Sequence, residues 1–430
     1  MTPEVKKRIE QIRQGIVPEG YKKGKIGIVP IKWNEVPFST LFTSTSEYTD
    51  DLKQYPLYSL TIEDGITAKT ERYERSHLVK KENSYKVVRP NDYAYNPMNI
   101  RFGAVARHKG DIPVAVSGYY DIFTTVHESD LVFMDSFLTY GPMITYYNKV
   151  STGSLVEKQR VHFSDFLEFS LALPPLEERK KIAEILSTQD KAIELQGRKI
   201  EELKRFKKGC LEKMFPKKGQ KVPEKRFPGF TDDWEQRKVS TIASDTRGGG
   251  TPATSNETYW SGNIPWIQSS DLSEGKLFGV EPRKYISRDG LNNSATQLVP
   301  ENSIAVVTRV GVGKLTFMPF SYTTSQDFLS LCKLQTEPHF TVYALYQMLQ
   351  GELQAVQGTS IKGMTKDDLL SKSIFAPKDE VEQQQLGSYF RNLDTLITLH
   401  QRKLEEMKKQ KKALMQLLLT GIVKTKGEVR

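Results

Sequence analysis

The chain has 430 residues, 38% hydrophobic and 27% charged, with a formal net charge of +10 and a pI near 9.2. That is enough apolar material for ordinary cores in two to four domains, and the basic balance points to a polyanionic partner. Two cysteines, Cys210 and Cys332, exclude a disulfide framework or a cysteine metal box. No apolar run approaches the ~18 residues that span a bilayer, and the opening MTPEVKKRIEQIRQG lacks a signal peptide's apolar region. The expectation is a soluble, cytoplasmic protein without a membrane partner.

Residues 1–20 predict a helical arm, a charged helix from Pro3 to about Gln14 that stops at Gly15 and Pro18. From 21 to 174 the texture changes to short aromatic and β-branched runs (YPLYSLTI, YKVVRP, PVAVSGYYDIFTTV) broken by Gly, Pro, Asn and Asp. This is the pattern of a mixed head rich in β-sheet. Residues 175–215 predict a long helix, with Glu177 and Glu178 at its positive N-terminal end. The stretch 216–230 is rich in Pro, Gly and Lys, a linker by composition. A second head follows over 231–376, a second long helix over 377–420 and a tail over 421–430.

The two helices are one motif written twice. Arg198-Lys199-Ile200-Glu201-Glu202-Leu203-Lys204 matches Arg402-Lys403-Leu404-Glu405-Glu406-Met407-Lys408 at an offset of 204 residues, which also aligns Asp190 with Asp394 and Ile193 with Ile397. Stepping by four and three gives a continuous apolar seam in each: Ile182, Leu186, Ile193, Ile200 and Leu203 in the first; Leu386, Phe390, Leu393, Ile397 and Leu404 in the second. A run of about 40 residues spans roughly 60 Å, a spacer's length. Polar seam positions coincide as well, Gln196 with His400 and Lys207 with Lys411. Such matches set register, so the helices are expected to pack on each other within one chain; an intermolecular coiled coil is the alternative. The heads repeat too: Trp33 and Phe38-Ser39-Thr40-Leu41 are echoed by Trp234 and Val239-Ser240-Thr241-Ile242, and Arg101-Phe102-Gly103-Ala104 by Arg309-Val310-Gly311-Val312. Gly15-Ile16-Val17 resembles Gly421-Ile422-Val423, which places the N-terminal segment beside the end of the last helix.

Catalytic constellations are missing. Arg309-Val310-Gly311-Val312-Gly313-Lys314-Leu315 suits phosphate but lacks the glycine spacing and the following Ser or Thr of a P-loop. Asn96-Pro97-Met98 lacks the second proline and the aromatic of an amino-methyltransferase motif, and the six histidines show no ligand spacing. What remains is binding. Lys69, Arg72, Tyr73 and Arg75 interleave cations with an aromatic ring in the first head, where a solvated charged loop is the plain alternative. In the second head, the bare backbone after Arg247 and residues Thr251, Tyr259 and Gln268 suit close approach to a nucleic acid. Arg101, Arg309, Lys314 and Lys362 complete the candidate DNA contacts.

These residues resemble the specificity subunits of type I restriction-modification enzymes over nearly the whole chain. Gly249, Gly250, Thr251, Pro252, Trp260, Gly262, Ile264, Pro265, Trp266 and Asp271 fit that family's second-head motif. The lead-ins LALPPLEERKKIAEILSTQD and SIFAPKDEVEQQQLGSYFRNLD are similar to those of its conserved helices, although Ala376-Pro377-Lys378 replaces the usual Pro-Pro-Leu. VVTRVGVGKL is one residue short between its glycines, and the first head matches less sharply, through Tyr95-Asn96-Pro97-Met98 and Ser117-Gly118-Tyr119-Tyr120. The resemblance implies an α+β, pseudo-two-fold symmetric chain of two target recognition domains separated by an antiparallel intramolecular coiled coil. It also implies a non-catalytic subunit that reads the two halves of an interrupted duplex DNA target and docks two methyltransferase subunits and restriction subunits. S-adenosylmethionine, ATP and Mg would belong to those partners, with no cofactor or metal in this chain. Two rivals are a protein interaction scaffold whose basic charge is incidental and a DNA-modifying enzyme in its own right, which the missing cofactor motifs oppose.

Overall fold

The computed structural model describes residues 2–69, 84–155, 159–217, 219–355 and 363–425. Its contacts divide the chain into two units, Met1–Gln196 with Lys403–Arg430, and Gly197–Arg402. Each unit therefore holds one head and one end of each long helix. Among the described residues no helix is long and apolar enough to cross a membrane.

The first long helix runs Leu176–Met214 and the second Glu380–Leu419, and they pack together inside each unit. In the first unit, Ile182, Ala183 and Leu186 share a core with Leu418 and Leu419 and with head residues such as Phe38, Phe123 and Phe166. In the second, Leu211 and Met214 share a core with Leu386 and Phe390 and with Val239, Phe340 and Tyr343. The start of one helix meets the end of the other, so the pair is antiparallel. Each fully buried Leu or Phe contributes about 1.5–3 kcal/mol, so the helix ends belong to the head cores.

The matched lysines each meet an aspartate of the other helix: Lys207 pairs with Asp394 at 2.6 Å and Lys411 pairs with Asp190 at 2.5 Å. In an antiparallel pair each residue meets a different position of its repeat, so the duplicated Asp and Lys form two reciprocal ion pairs, one in each unit. The second is the better built. Lys207 is buried, its ammonium lies 5.3 Å from the Tyr343 ring centre, and the Tyr343 hydroxyl donates to Asp394 at 2.6 Å.

Each head is closed by the strands that enter and leave it. Asn34–Pro37 pairs antiparallel with Ser170–Leu173 in the first unit, and Glu235–Lys238 with Ser373–Ala376 in the second. The next amide donates across the same junction in both, Phe38 to Phe169 O at 2.7 Å and Val239 to Lys372 O at 2.8 Å. Inside each head lies an antiparallel four-stranded sheet of the same order. In the first it runs Val105–Arg107, Tyr93–Tyr95, Asp121–Thr125, Phe42–Thr45; in the second Leu315–Met318, Ser303–Val307, Phe328–Leu334, Ala243–Gly248.

The three-stranded sheets differ. In the first head Tyr85–Val88 lies between Val114–Ser117 and Tyr48–Thr49, both antiparallel to it. In the second, Ile264–Ile267 has an antiparallel neighbour, Lys284–Ile286, and a parallel one, Thr323–Thr324.

The N-terminal helix, Pro3–Arg13, and the segment after it lie against the end of the last helix. The Arg8 guanidinium donates to Ile422 O, and the Tyr21 hydroxyl to Gly421 O at 2.7 Å. Gly421 has φ +66°, and a Cβ there would meet Pro30 Cγ at 2.5 Å. Only glycine fits that turn.

Candidate nucleic-acid interface

In the second head, strand Ala243–Gly248 runs into the loop Gly248-Gly249-Gly250-Thr251. A Cβ on Gly249 would fall 1.8 Å from Ser325 O, and one on Gly250 2.4 Å from the Thr296 amide nitrogen. The glycines are there because the loop lies directly on neighbouring backbone. Trp266 Nε1 donates to Gly250 O at 2.9 Å, and Thr251 Oγ1 donates to Gln326 Oε1 at 2.7 Å.

Opposite lies the turn that carries Arg309, with Gly311 at φ +90° and Gly313 at φ +97°. Lys314 anchors this region: its ammonium donates to Leu272 O at 2.9 Å and Ser269 O at 3.4 Å. The segment after Gly363 joins through Met364 N donating to Thr308 O at 2.6 Å. These elements line a cleft of about 860 Å³ whose lining includes Gly248, Gly249, Arg309, Gln326 and Lys366 and, among the described residues, no acidic side chain.

A second polar surface lies on the three-stranded sheet. Lys284 holds its ammonium 5.6 Å from the Trp260 ring centre and 5.7 Å from that of Trp266, within the range of a cation–π attraction. Arg283 and Tyr285 lie beside it, and Arg283 approaches the buried Asp271 carboxylate at 3.5 Å.

Gathered at the acid-free cleft are Arg309, the glycine loop and, through its bond to Gln326, Thr251. Arg247 is half-exposed and paired with Asp245 at 3.0 Å. Tyr259 is half-buried, its carbonyl accepting from Ser287 N at 2.9 Å. Gln268 is half-buried, and its backbone N–H donates to Asp271 Oδ2 at 3.0 Å. Lys362 falls outside the described residues.

In the first head, Arg72, Tyr73 and Arg75 also fall outside the described residues, and Lys69 is exposed after the hairpin Tyr58–Thr61/Gly65–Ala68. Arg101 sits in the turn equivalent to that of Arg309, beside Gly103 at φ +98°. It is half-buried and tied down: Nη1 donates to Gln159 Oε1 at 2.9 Å, and the guanidinium lies 4.6 Å from the Phe102 ring centre. Asn96 is a turn residue, Oδ1 accepting from Met98 N at 3.1 Å and Asn99 N at 3.3 Å. A cavity of about 600 Å³ in this unit mixes Glu63, Asp64, Asp111 and Asp135 with Arg107 and Lys109. Arg107 is bound to Asp135 at 2.8 Å, and carboxylates so placed repel phosphate.

Among the described residues no group of three or more His, Cys, Asp or Glu could hold a metal. Burial, with Asp245 nearby, pushes the Cys332 thiol up to about 11, which removes it as a nucleophile at neutral pH. The sequence pattern did not single out Gln326, Lys366 or Lys284. Gln326 lies 75 residues from the threonine that orients it, and only Lys284 had a local signal, the nearby pair Trp260 and Trp266.

Comparison with known proteins agrees with this architecture. The model of the family "Type I restriction modification DNA specificity domain" matches residues 136–205 and 231–409, more than half of the chain. A protein named as the MjaX type I restriction enzyme specificity subunit of Methanocaldococcus jannaschii is 24% identical over 441 residues, covering 98% of this chain and 93% of its own. The MjaVIII specificity subunit of the same organism is 26% identical over 277 residues, 61% of this chain and 64% of its own. In fold the chain is similar to one solved in a study of type I restriction-modification complex assembly and conformational transition, with TM-score 0.56, 18% identity and coverage of 92% and 99%. It is also similar to the type I S subunit from M. genitalium, with TM-score 0.54, 11% identity and coverage of 93% and 99%. The chain belongs to the type I restriction-modification DNA specificity family: it is a specificity subunit, the non-catalytic part of a type I enzyme.

Proposed function

We propose that the two heads, residues 21–174 and 231–376, are target recognition domains that each read one half of an interrupted duplex DNA site. The two long helices hold the half-sites at a set separation and seat two methyltransferase subunits, with restriction subunits joining through them. The observation that carries this reading is the repeat: two heads with the same four-stranded sheet, closed by the same strand pair, each packed with one end of both long helices. A protein built this way contacts two sites whose spacing is a matter of geometry.

Two further features support it. The cleft of the second head offers cations and bare backbone without carboxylates. On the helices, Leu195 is 61% exposed and its repeat counterpart Leu399 is 54% exposed, apolar positions that a partner's helix would cover. The basic pairs Lys204-Arg205 and Lys408-Lys409 are exposed as well. Methyl transfer from S-adenosylmethionine and cleavage driven by ATP and Mg belong to the partner subunits, acting in the cytoplasm.

The test uses the complex with its methyltransferase. Scrambling either half of the methylated site should abolish methylation, and duplex affinity should fall steeply with salt as bound counterions are released. Methylation that needs only one half, or a flat salt response, would contradict the reading and favour a scaffold that binds proteins alone.

A further inference from the structure

We propose that the acid-free cleft of the second head is a sequence-independent clamp for a DNA phosphodiester, with Arg309 and Lys366 as its cations and Gln326 as an oriented donor. The proposal rests on the reading of this head as a DNA-binding domain and names which chemical part of the DNA the cleft takes.

Four observations converge. The cleft wall is backbone where a ligand would approach: a Cβ on Gly248 would meet nothing within 4 Å, whereas Gly249 beneath it is packed on Ser325 O. Glycine at both positions keeps side chains off this wall; the Gly248 amide is given to Gln297 Oε1 at 3.1 Å and the Gly250 amide to Thr324 O at 2.9 Å, so the wall permits close approach while the contacts to an anion fall to the cleft's side chains. Arg309 and Lys366 are exposed, and among the described residues neither has an acidic partner. Arg247, a few residues away, is by contrast consumed by Asp245.

Gln326 is exposed and fixed at one end only. Thr251 donates to its Oε1, which fixes the carboxamide while leaving its Nε2 donors to serve a ligand. Finally, the cleft belongs to the part of the head that is repeated: the Arg309-Val310-Gly311 turn corresponds to Arg101-Phe102-Gly103, with a positive φ at both glycines. The turn is shared, and of its two arginines Arg309 is the exposed one, left available for a ligand. Phosphate contacts position a protein on DNA; base edges specify. In the first head Arg101 is bonded to Gln159, so the clamp is assigned to the second head alone.

The experiment compares wild-type complex, carrying its methyltransferase subunits, with Arg309→Ala/Lys366→Ala and with Gln326→Glu. The last keeps an acceptor for Thr251 and places one carboxylate in the cleft. Binding is measured on the cognate duplex and on one with the second half-site scrambled, across a salt series, and methylated sites are mapped. The double variant should lose about tenfold in affinity on both duplexes, and its salt slope should shrink by roughly 1, because the clamp neutralises one phosphate. Gln326→Glu should also weaken both duplexes by a common factor, with melting temperature and mapped sequence unchanged in every variant.

A changed base preference would make these residues base readers and overturn the clamp. Unchanged affinity and slope, with wild type still steep and sequence-selective, would overturn it while leaving the head's role intact. A wild-type complex indifferent to the second half-site would instead remove the reading on which the clamp rests. Inorganic phosphate at matched ionic strength should not displace the duplex; displacement would make the cleft a free-phosphate site.

Discussion

The two heads share a scaffold and diverge around it. Both contain the same four-stranded sheet, the same closing strand pair and a turn with arginine two residues before a positive-φ glycine. Both bolt the head to the start of a helix through one repeat position. Arg179 Nη1 donates to Pro174 O at 3.2 Å in the first unit; its counterpart Gln383 donates to Pro377 O at 2.8 Å in the second. The charge that completes the bolt is reversed, however. Arg179 from the helix grips Asp130 of the first head, whereas Glu382 from the helix is gripped by Arg226 of the linker. The three-stranded sheets differ even in strand direction. Under the proposed reading, in which both heads read DNA, attachment and grip are what they must share, and the reading surface is what they are free to vary.

Breaking the bolts gives the largest expected effects, because one charge would remain buried without its partner. Arg226→Ala leaves Glu382, which is 0% exposed, and should cost about 3–5 kcal/mol. Arg179→Ala leaves Asp130, 2% exposed, at a similar cost. Hydrogen exchange followed residue by residue should place each loss in its own unit, the second for Arg226 and the first for Arg179; a loss spread evenly over both would mean the units do not unfold separately.

A smaller difference is expected where the loops diverge. Gly249→Ala drives a Cβ into Ser325 O and should cost about 1–3 kcal/mol, read as a lower melting temperature. In the first head the segment after strand Phe42–Thr45 carries the exposed Ser46 instead, and Ser46→Ala should be neutral.

The reciprocal ion pairs sharpen the comparison further. Lys207 and Asp394 have side-chain exposures of 10% and 23%, against 24% and 46% for Lys411 and Asp190. Lys207→Met should therefore destabilise by about 2 kcal/mol and Lys411→Met by under about 1 kcal/mol, measured by chemical denaturation. Equal losses would remove the burial argument.

The smallest effect is in pH dependence, and its sign differs between units. Burial raises the Glu337 carboxyl, but hydrogen bonds from His339 and the Phe340 amide outweigh it and hold the group below its ordinary 4.5. Glu337 therefore contributes stability present above that value and lost as pH falls through the lower folded one. In the first unit burial raises Asp121 above its ordinary 3.8 despite Lys86; its favourable contribution is present below 3.8 and lost as pH rises through the higher folded value. Difference titrations against Glu337→Gln and Asp121→Asn should slope in opposite directions in the acid range.

Much of this architecture is legible in the sequence, because apolar spacing reports each residue's own local environment. The helices announce themselves through Ile182, Leu186, Leu386 and Phe390, and the heads through Trp33 and Trp234, both fully buried. Illegible is whatever depends on pairing. The repeat makes Lys207 and Lys411 equivalent, but it does not say that antiparallel packing sends each to an aspartate of the other copy. The three-stranded sheets give no warning of their different directions, since strand residues alternate alike in parallel and antiparallel edges. The candidate site is the least legible part: Arg309 and Thr251 stand out by residue type, but Gln326 acquires meaning only when folding sets it against the glycine loop.

The central claim, that two heads on one helix pair read two half-sites independently, is tested most directly by replacing residues 231–376 with the corresponding head of another specificity subunit and mapping the sites methylated by the resulting complex. The account predicts that one half of the methylated sequence changes while the other half and the spacing between them stay as they were. An unchanged site, or both halves changing together, would contradict it.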